Sequence, residues 1–249
     1  CAIGLTDPLA RRIAADFGQL RLLEEEREAG LDRDWADELV GGLDCFCDAW
    51  DAADRSPWEP AGAILTELLA RRGASPRHRV HAVGHAHIDT AWVWPVAETR
   101  RKIVRSTANQ LELMDRYPEH RFAASSAQHY AWLEEDDPAL FERMRERIAE
   151  GRWEVVGGSW VEPDCNLPSG EALIRQLAFG LRFLEERFGN RPAVYWSPDT
   201  FGHNGQMPQI LSSCGMTGFV TQKLAWNQFT HPPHNTFRWR GIDGSEVLA

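Results

Sequence analysis

Residues 80–118, "VHAVGHAHIDTAWVWPVAETRRKIVRSTANQLELMDRYP", run from an apolar stretch through a polar turn into a long amphipathic segment. "VHAVGH" reads as a strand, and "VAETRRKIVRSTANQLELMDR" as a helix stopped by Pro118. Between them His85, His87 and Asp89 fall within five positions, which a folded core does not require. Along an extended chain these three share one side, because side chains alternate with period two. His87 and Asp89 then offer an imidazole nitrogen and a carboxylate oxygen to one point, a pair suited to a divalent metal such as zinc. Hydrogen-bonded polar residues at a strand end account for the same three letters. The pattern also predicts topology: a strand that releases polar groups at its C-terminal end and passes into a helix opens a βαβ unit.

Downstream the alternation continues. "RFAASS", "WEVVGG", "AVYW" and "TGFVTQ" read as strands; "PALFERMRERIAEG", "SGEALIRQLAFGLRFLEERFG" and "GQMPQILSSCG" read as helices. "WRGIDGSEVLA" reads as a hairpin cut off at its second strand. The predicted class is α/β, a parallel-stranded (β/α) barrel-like catalytic domain over residues 76–249, truncated at the C-terminus. Residues 1–75 read as a preceding α-helical segment, with Thr6 or Asp7 as N-cap, and "GASPRHR" as the linker between the two.

Composition narrows the function classes. The net charge is −10, with most of the excess in residues 1–75, so no basic footprint for nucleic acid is present. The apolar runs fall short of the length that spans a bilayer, and no secretory signal opens the chain. A cytoplasmic protein without nucleic-acid or membrane partners is expected. The oligomeric state is left open, a homo-oligomer included. The first residue is Cys1 instead of Met, which predicts a missing or processed start. The five scattered cysteines, Cys45 and Cys47 among them, read as reduced and buried. Only Lys102 and Lys223 are lysines, against an otherwise arginine-based set.

In folds of this type functional groups gather after the C-terminal ends of strands. Two further loops are rich there. "YWSPDTFGHNGQMP" presents Asp199 just past a strand, either as a turn former or as a third ligand and nucleophile. "GGSWVEPDCNLPSGE" carries Glu162 and Asp164, equally readable as substrate contacts or as capping residues.

Taken in order, "GHAHIDTAWVWP", "GGSWVEPDCNLPSGE", "PDTFGHNGQMPQIL" and "TQKLAWNQF" resemble the signature blocks of glycoside hydrolase family 38, the retaining α-mannosidases. The likeness is strongest to the cytosolic and bacterial branch and covers about residues 79–249. It implies a metal-dependent retaining hydrolysis of terminal α-mannosides in mannose-containing oligosaccharides. It assigns His87, Asp89 and Asp199 to one metal, zinc, with cobalt as the alternative. Asp199 becomes the nucleophile, Trp92 and Phe201 the sugar-binding aromatics, and Lys223 the basic residue beside the nucleophile. The acid/base carboxyl and a fourth metal ligand, a histidine, are expected beyond residue 249.

Two rival readings stand beside this one. His85 and His87 could be paired ligands of a metal-dependent amidohydrolase, a reading that needs two further histidines at later strand ends, for which the sequence offers only His203 and the His231/His234 loop, badly ordered along the chain. The chain could also be a non-catalytic carbohydrate-binding fragment.

Overall fold

The computed structural model describes residues 7–25, 33–71, 80–230 and 232–249. They fall into two compact units, 1–80 and 81–249. The segment read as a linker lies outside the described residues, as do Cys1, Thr6 and His231.

The first unit holds α1 (Pro8–Glu25), α2 (Arg33–Ala49) and α3 (Trp58–Ala70). Asp7 Oδ1 accepts from Leu9 N at 2.8 Å and so caps α1, with Pro8 in the first turn where its missing N–H costs nothing. The helices bury Ile13, Leu20, Leu39, Phe46 and Leu65 against one another. Trp50 and Trp58 stack at 5.0 Å where the chain turns from α2 into α3. Cys45 and Cys47 are free and exposed, not buried as their composition suggested, because they lie off the face that α2 turns to this core.

The second unit is a mixed α/β body. Its elements are β1 (Gly84–His85), α4 (Val96–Arg116), β2 (Phe122–Ala124), α5 (Ala127–Asp136), α6 (Pro138–Ala149), β3 (Trp153–Val155), α7 (Gly170–Phe188), β4 (Val194–Trp196), α8 (Met207–Ser213), β5 (Gly218–Val220), β6 (Arg238–Arg240) and β7 (Glu246–Leu248). One sheet runs β1-β2-β3, all parallel. The other runs β4-β5-β7-β6, parallel except for the β6–β7 hairpin. Gly157 N donates to Val194 O at 3.0 Å, linking the exit of β3 to the start of β4.

The helices form where their sequences carry both period and punctuation. In α4, Thr99, Ile103, Thr107, Leu111 and Met114 are buried at steps of three and four, one stripe facing the sheet. Ser169 caps α7 through Ala172 N, and Gly189 ends it at φ 64°, a left-handed position that glycine adopts without strain. Asp137 caps α6, with Pro138 following. Phe122 packs on Trp153 at 4.8 Å in one core, and Tyr195 stacks on Phe219 at 5.8 Å in the other.

The opening strand is shorter than its sequence suggested. Only Gly84 and His85 pair, and Val80 and Val83 are exposed. The partner explains this: β2 begins at Phe122, opposite Gly84, so the residues before Gly84 meet no ladder.

Candidate active site

Four strand ends deliver the polar groups to one cleft. After β1 the chain leaves the sheet, and His87 and Asp89 lie in the loop beyond it. Thr99 on α4 steadies this loop, its hydroxyl donating to Asp89 O at 2.9 Å and accepting from Trp94 Nε1 at 3.0 Å. After β3 come Gly157 and Gly158, both with positive φ; a Cβ on Gly158 would meet Met216 Cε at 2.3 Å. That tight turn leads into Trp160 and Glu162. After β4, Ser197 and Thr200 share a 2.8 Å hydrogen bond, and Thr200 donates to Pro163 O at 3.2 Å. The Asp199 loop is thereby stitched to the Glu162 loop. After β5, a 3₁₀ turn over Lys223–Trp226 supplies the last group.

The resulting cleft has a volume of about 690 Å³ and includes His87, Asp89, Trp92, Asp199, Phe201 and Lys223 in its lining. His87 Nε2 lies 3.4 Å from Asp89 Oδ1 and 3.5 Å from Asp199 Oδ2. Ligand atoms of these three residues lie within 4.8 Å of one another. Lys223 Nζ is 2.6 Å from Asp199 Oδ1, with the lysine side chain only 7% exposed. Trp92 and Phe201 are 68% and 73% exposed, their rings open to the cleft and to solvent.

Glu162 is the member that residue spacing left undecided. Its Oε2 is 3.0 Å from His87 Nδ1, and its Oε1 accepts from Asp199 N at 2.7 Å. The hydrogen bond that His87 donates to Glu162, helped by the charges of Glu162, Asp89 and Asp199, holds the His87 pKa above its ordinary value against the opposing effect of burial. Asp164, its neighbour in sequence, is a turn former: its Oδ1 accepts from Asn166 N and Leu167 N at 2.7 and 2.8 Å. Trp226, also unassigned from sequence, carries the Lys223 ammonium over its ring at 3.2 Å.

His85 does not join the cluster. Its ring rests against Trp196 at 5.2 Å, and burial, with His87 nearby, pushes its pKa down. His203 is also turned away, packed edge-on to Phe219 at 4.8 Å. The histidine pair that an amidohydrolase needs is therefore not formed at this strand end.

The donor set fits a divalent cation. Two ligand atoms each about 2 Å from a common ion stand about 3.3 Å apart at tetrahedral angles, close to the two separations from His87 Nε2. Asp89, Glu162 and Asp199 surround His87, and Lys223 pairs with Asp199 alone, a negative excess that a dication offsets.

Two largely parallel sheets with carboxylates and aromatics beyond their strand ends define an α/β scaffold, and solved structures share its fold. An α-mannosidase from Enterococcus faecalis superposes with a TM-score of 0.57 at 20% identity, covering 67% of this chain and 19% of that one. A 4-α-glucanotransferase from Thermococcus litoralis gives 0.54 at 14% identity, covering 67% and 26%. The family is given by sequence: residues 77–249 match the glycosyl hydrolases family 38 N-terminal domain, and the chain belongs to this family. Among curated relatives, human alpha-mannosidase 2C1 is 46% identical over 199 residues, 80% of this chain and 19% of that protein. An alpha-mannosidase of Saccharomyces cerevisiae is 52% identical over 171 residues, 68% of this chain and 16% of that protein. The chain thus spans about a fifth of the length of the curated relatives it matches.

Proposed function

We propose that this chain carries the nucleophile and metal side of a retaining α-mannosidase active site. The observation that carries the reading is the meeting of His87, Asp89 and Asp199 within one cleft of a family 38 domain. The named relatives are α-mannosidases, which supports a mannoside substrate.

His87, Asp89 and Asp199 would hold one divalent metal, zinc by donor type, with cobalt the alternative. When bound, such an ion supplies Lewis-acid contacts that orient adjacent sugar hydroxyls. Trp92 and Phe201 offer aromatic faces to the apolar side of a pyranose ring. Asp199 attacks the anomeric carbon as the glycosidic oxygen departs with a proton from an acid/base carboxyl. Water then cleaves the resulting ester, so that two inversions give net retention. Lys223 fixes the second oxygen of the attacking carboxylate. Asp89 and Glu162 are engaged with His87, so we assign the acid/base to neither.

We read the two sheets as consecutive arcs of one parallel (β/α) barrel. Support comes from the Gly157–Val194 hydrogen bond between them and from parallel neighbours that follow chain order through β5. We place the protein in the cytoplasm, a reading supported by the four cysteines among the described residues, all of them free.

The intact enzyme should hydrolyse an aryl α-mannoside with α-mannose formed first, as followed by proton NMR. Removal of metal, verified by elemental analysis, should abolish turnover, and zinc or cobalt should restore it. First-formed β-mannose, or undiminished turnover without metal, would overturn the reading.

A further inference from the structure

We propose that Glu162 is a positioning residue that sets the His87 tautomer and locks the metal-ligand loop to the nucleophile loop. The inference rests on the metal site proposed above and assigns a role to a residue outside its donor set.

Glu162 comes from the loop after β3, whereas His87 follows β1 and Asp199 follows β4. One carboxylate therefore ties three strand ends together. Oε2 faces His87 Nδ1 at 3.0 Å, and Oε1 accepts from Asp199 N at 2.7 Å. The side chain is 15% exposed, so these contacts are shielded from water. Its own loop is held from behind: Val161 N donates to Gln176 Oε1 of α7 at 2.9 Å, and Ser159 Oγ donates to Val161 O at 2.6 Å.

An ionised carboxylate only accepts hydrogen bonds. Facing Nδ1, it requires a proton there, which in the neutral ring leaves the Nε2 lone pair free. Nε2 is the atom that points at Asp89 and Asp199. This is the carboxylate–histidine arrangement that orients metal-binding imidazoles.

The pair of contacts also explains why glutamine, nearly the same shape, should fail. The Asp199 backbone N–H can only donate, so a glutamine must turn its carbonyl oxygen towards it. Its amide NH₂ then faces Nδ1, favours the proton on Nε2, and blocks the lone pair needed for a metal.

The test uses the intact enzyme and zinc itself, in competition with a chelator of known affinity, for wild type, E162Q, E162A and H87A. We expect E162Q and E162A to bind zinc about 10- to 100-fold more weakly, with the melting temperature of the metal-free E162Q protein close to that of wild type, because its carbonyl oxygen still accepts from Asp199 N. The visible absorption of the cobalt(II)-loaded E162Q protein should also shift, a change that a purely structural role would not produce. If E162A fails to fold, the near-isosteric E162Q decides alone. Wild-type zinc affinity and cobalt absorption in E162Q, with affinity lost in H87A, would overturn the role of Glu162 and leave the metal site standing. Wild-type affinity in H87A would overturn the metal site, and this inference with it.

Discussion

Lys223 Nζ stands 2.6 Å from Asp199 Oδ1 while the same ammonium lies 3.2 Å over the ring of Trp226 and 4.7 Å over that of Phe201. The lysine is thus fixed on three sides in a nearly dry position. A charge held in this way is worth more than a solvated one, because little water competes for it. It fixes the rotamer of the carboxylate assigned as nucleophile and leaves the other oxygen towards His87.

Replacing Lys223 should therefore damage catalysis without removing a bond-forming atom. Lys223→Ala is expected to lower kcat about 10²- to 10³-fold on an aryl α-mannoside, an order typical of one lost electrostatic contact. Asp199→Asn should cost several orders of magnitude more. Equal losses in the two variants, from steady-state kinetics, would contradict the division of roles.

Gly180 tests how the Glu162 loop is supported. A Cβ there would lie 2.3 Å from Gly158 O and 2.8 Å from Trp160 N, both backbone atoms that cannot step aside. Gly180→Ala should destabilise the protein by about 1–3 kcal/mol or more, read as a fall in melting temperature of several degrees. Gly41→Ala is the control. Its Cβ meets nothing within 4 Å inside α2, so it should gain about 0.5–1 kcal/mol from helix propensity.

His129 predicts a pH dependence of stability. Its Nε2 is buried with no hydrogen-bond partner among the described residues. Burial, with the charge of His87 adding, pushes its pKa down to about 4, while Glu162 opposes weakly. Unfolded, the ring titrates near 6.5, so between these values the unfolded chain binds the extra proton. Stability is then full above about pH 6.5 and is lost as pH falls towards 4. Relative to His129→Phe, wild type should lose about 3 kcal/mol across that window, measured by urea unfolding at a series of pH values. A constant difference between the two proteins would contradict it.

The parts of this molecule that the sequence made legible carry local signals. The stop at Pro118, the Asp137-Pro138 start of α6, and the Ser169 and Gly189 ends of α7 are each written in residues next to the feature. The meeting of His87, Asp89 and Asp199 was legible because each follows a strand; Lys223 was placed beside Asp199 through the family resemblance. What escaped depends on neighbours distant in sequence. β1 reads as six residues, yet its length is set by where β2 begins. α5 has only Ala127, Tyr130 and Leu133 buried, too short a stripe to stand out, and it is entered through Ser126 at φ 73°, which no local rule anticipates. Glu162 looked like any loop acid because both of its partners come from other strand ends. His85 sits at the end of its strand and turns to Trp196, so strict alternation misjudged the side it would share with His87.

The central claim is that Asp199 forms the covalent bond to the sugar, and trapping that bond tests it most directly. A 5-fluoro-mannosyl fluoride carries a good leaving group, and its ring fluorine slows breakdown of the ester, so the glycosyl-enzyme should accumulate. After incubation with the metal-loaded intact enzyme and proteolysis, mass spectrometry should find one fluoromannosyl adduct, on the peptide that contains Asp199, and none in Asp199→Asn. An adduct on a different carboxylate, with Asp199 unmodified, would contradict the account.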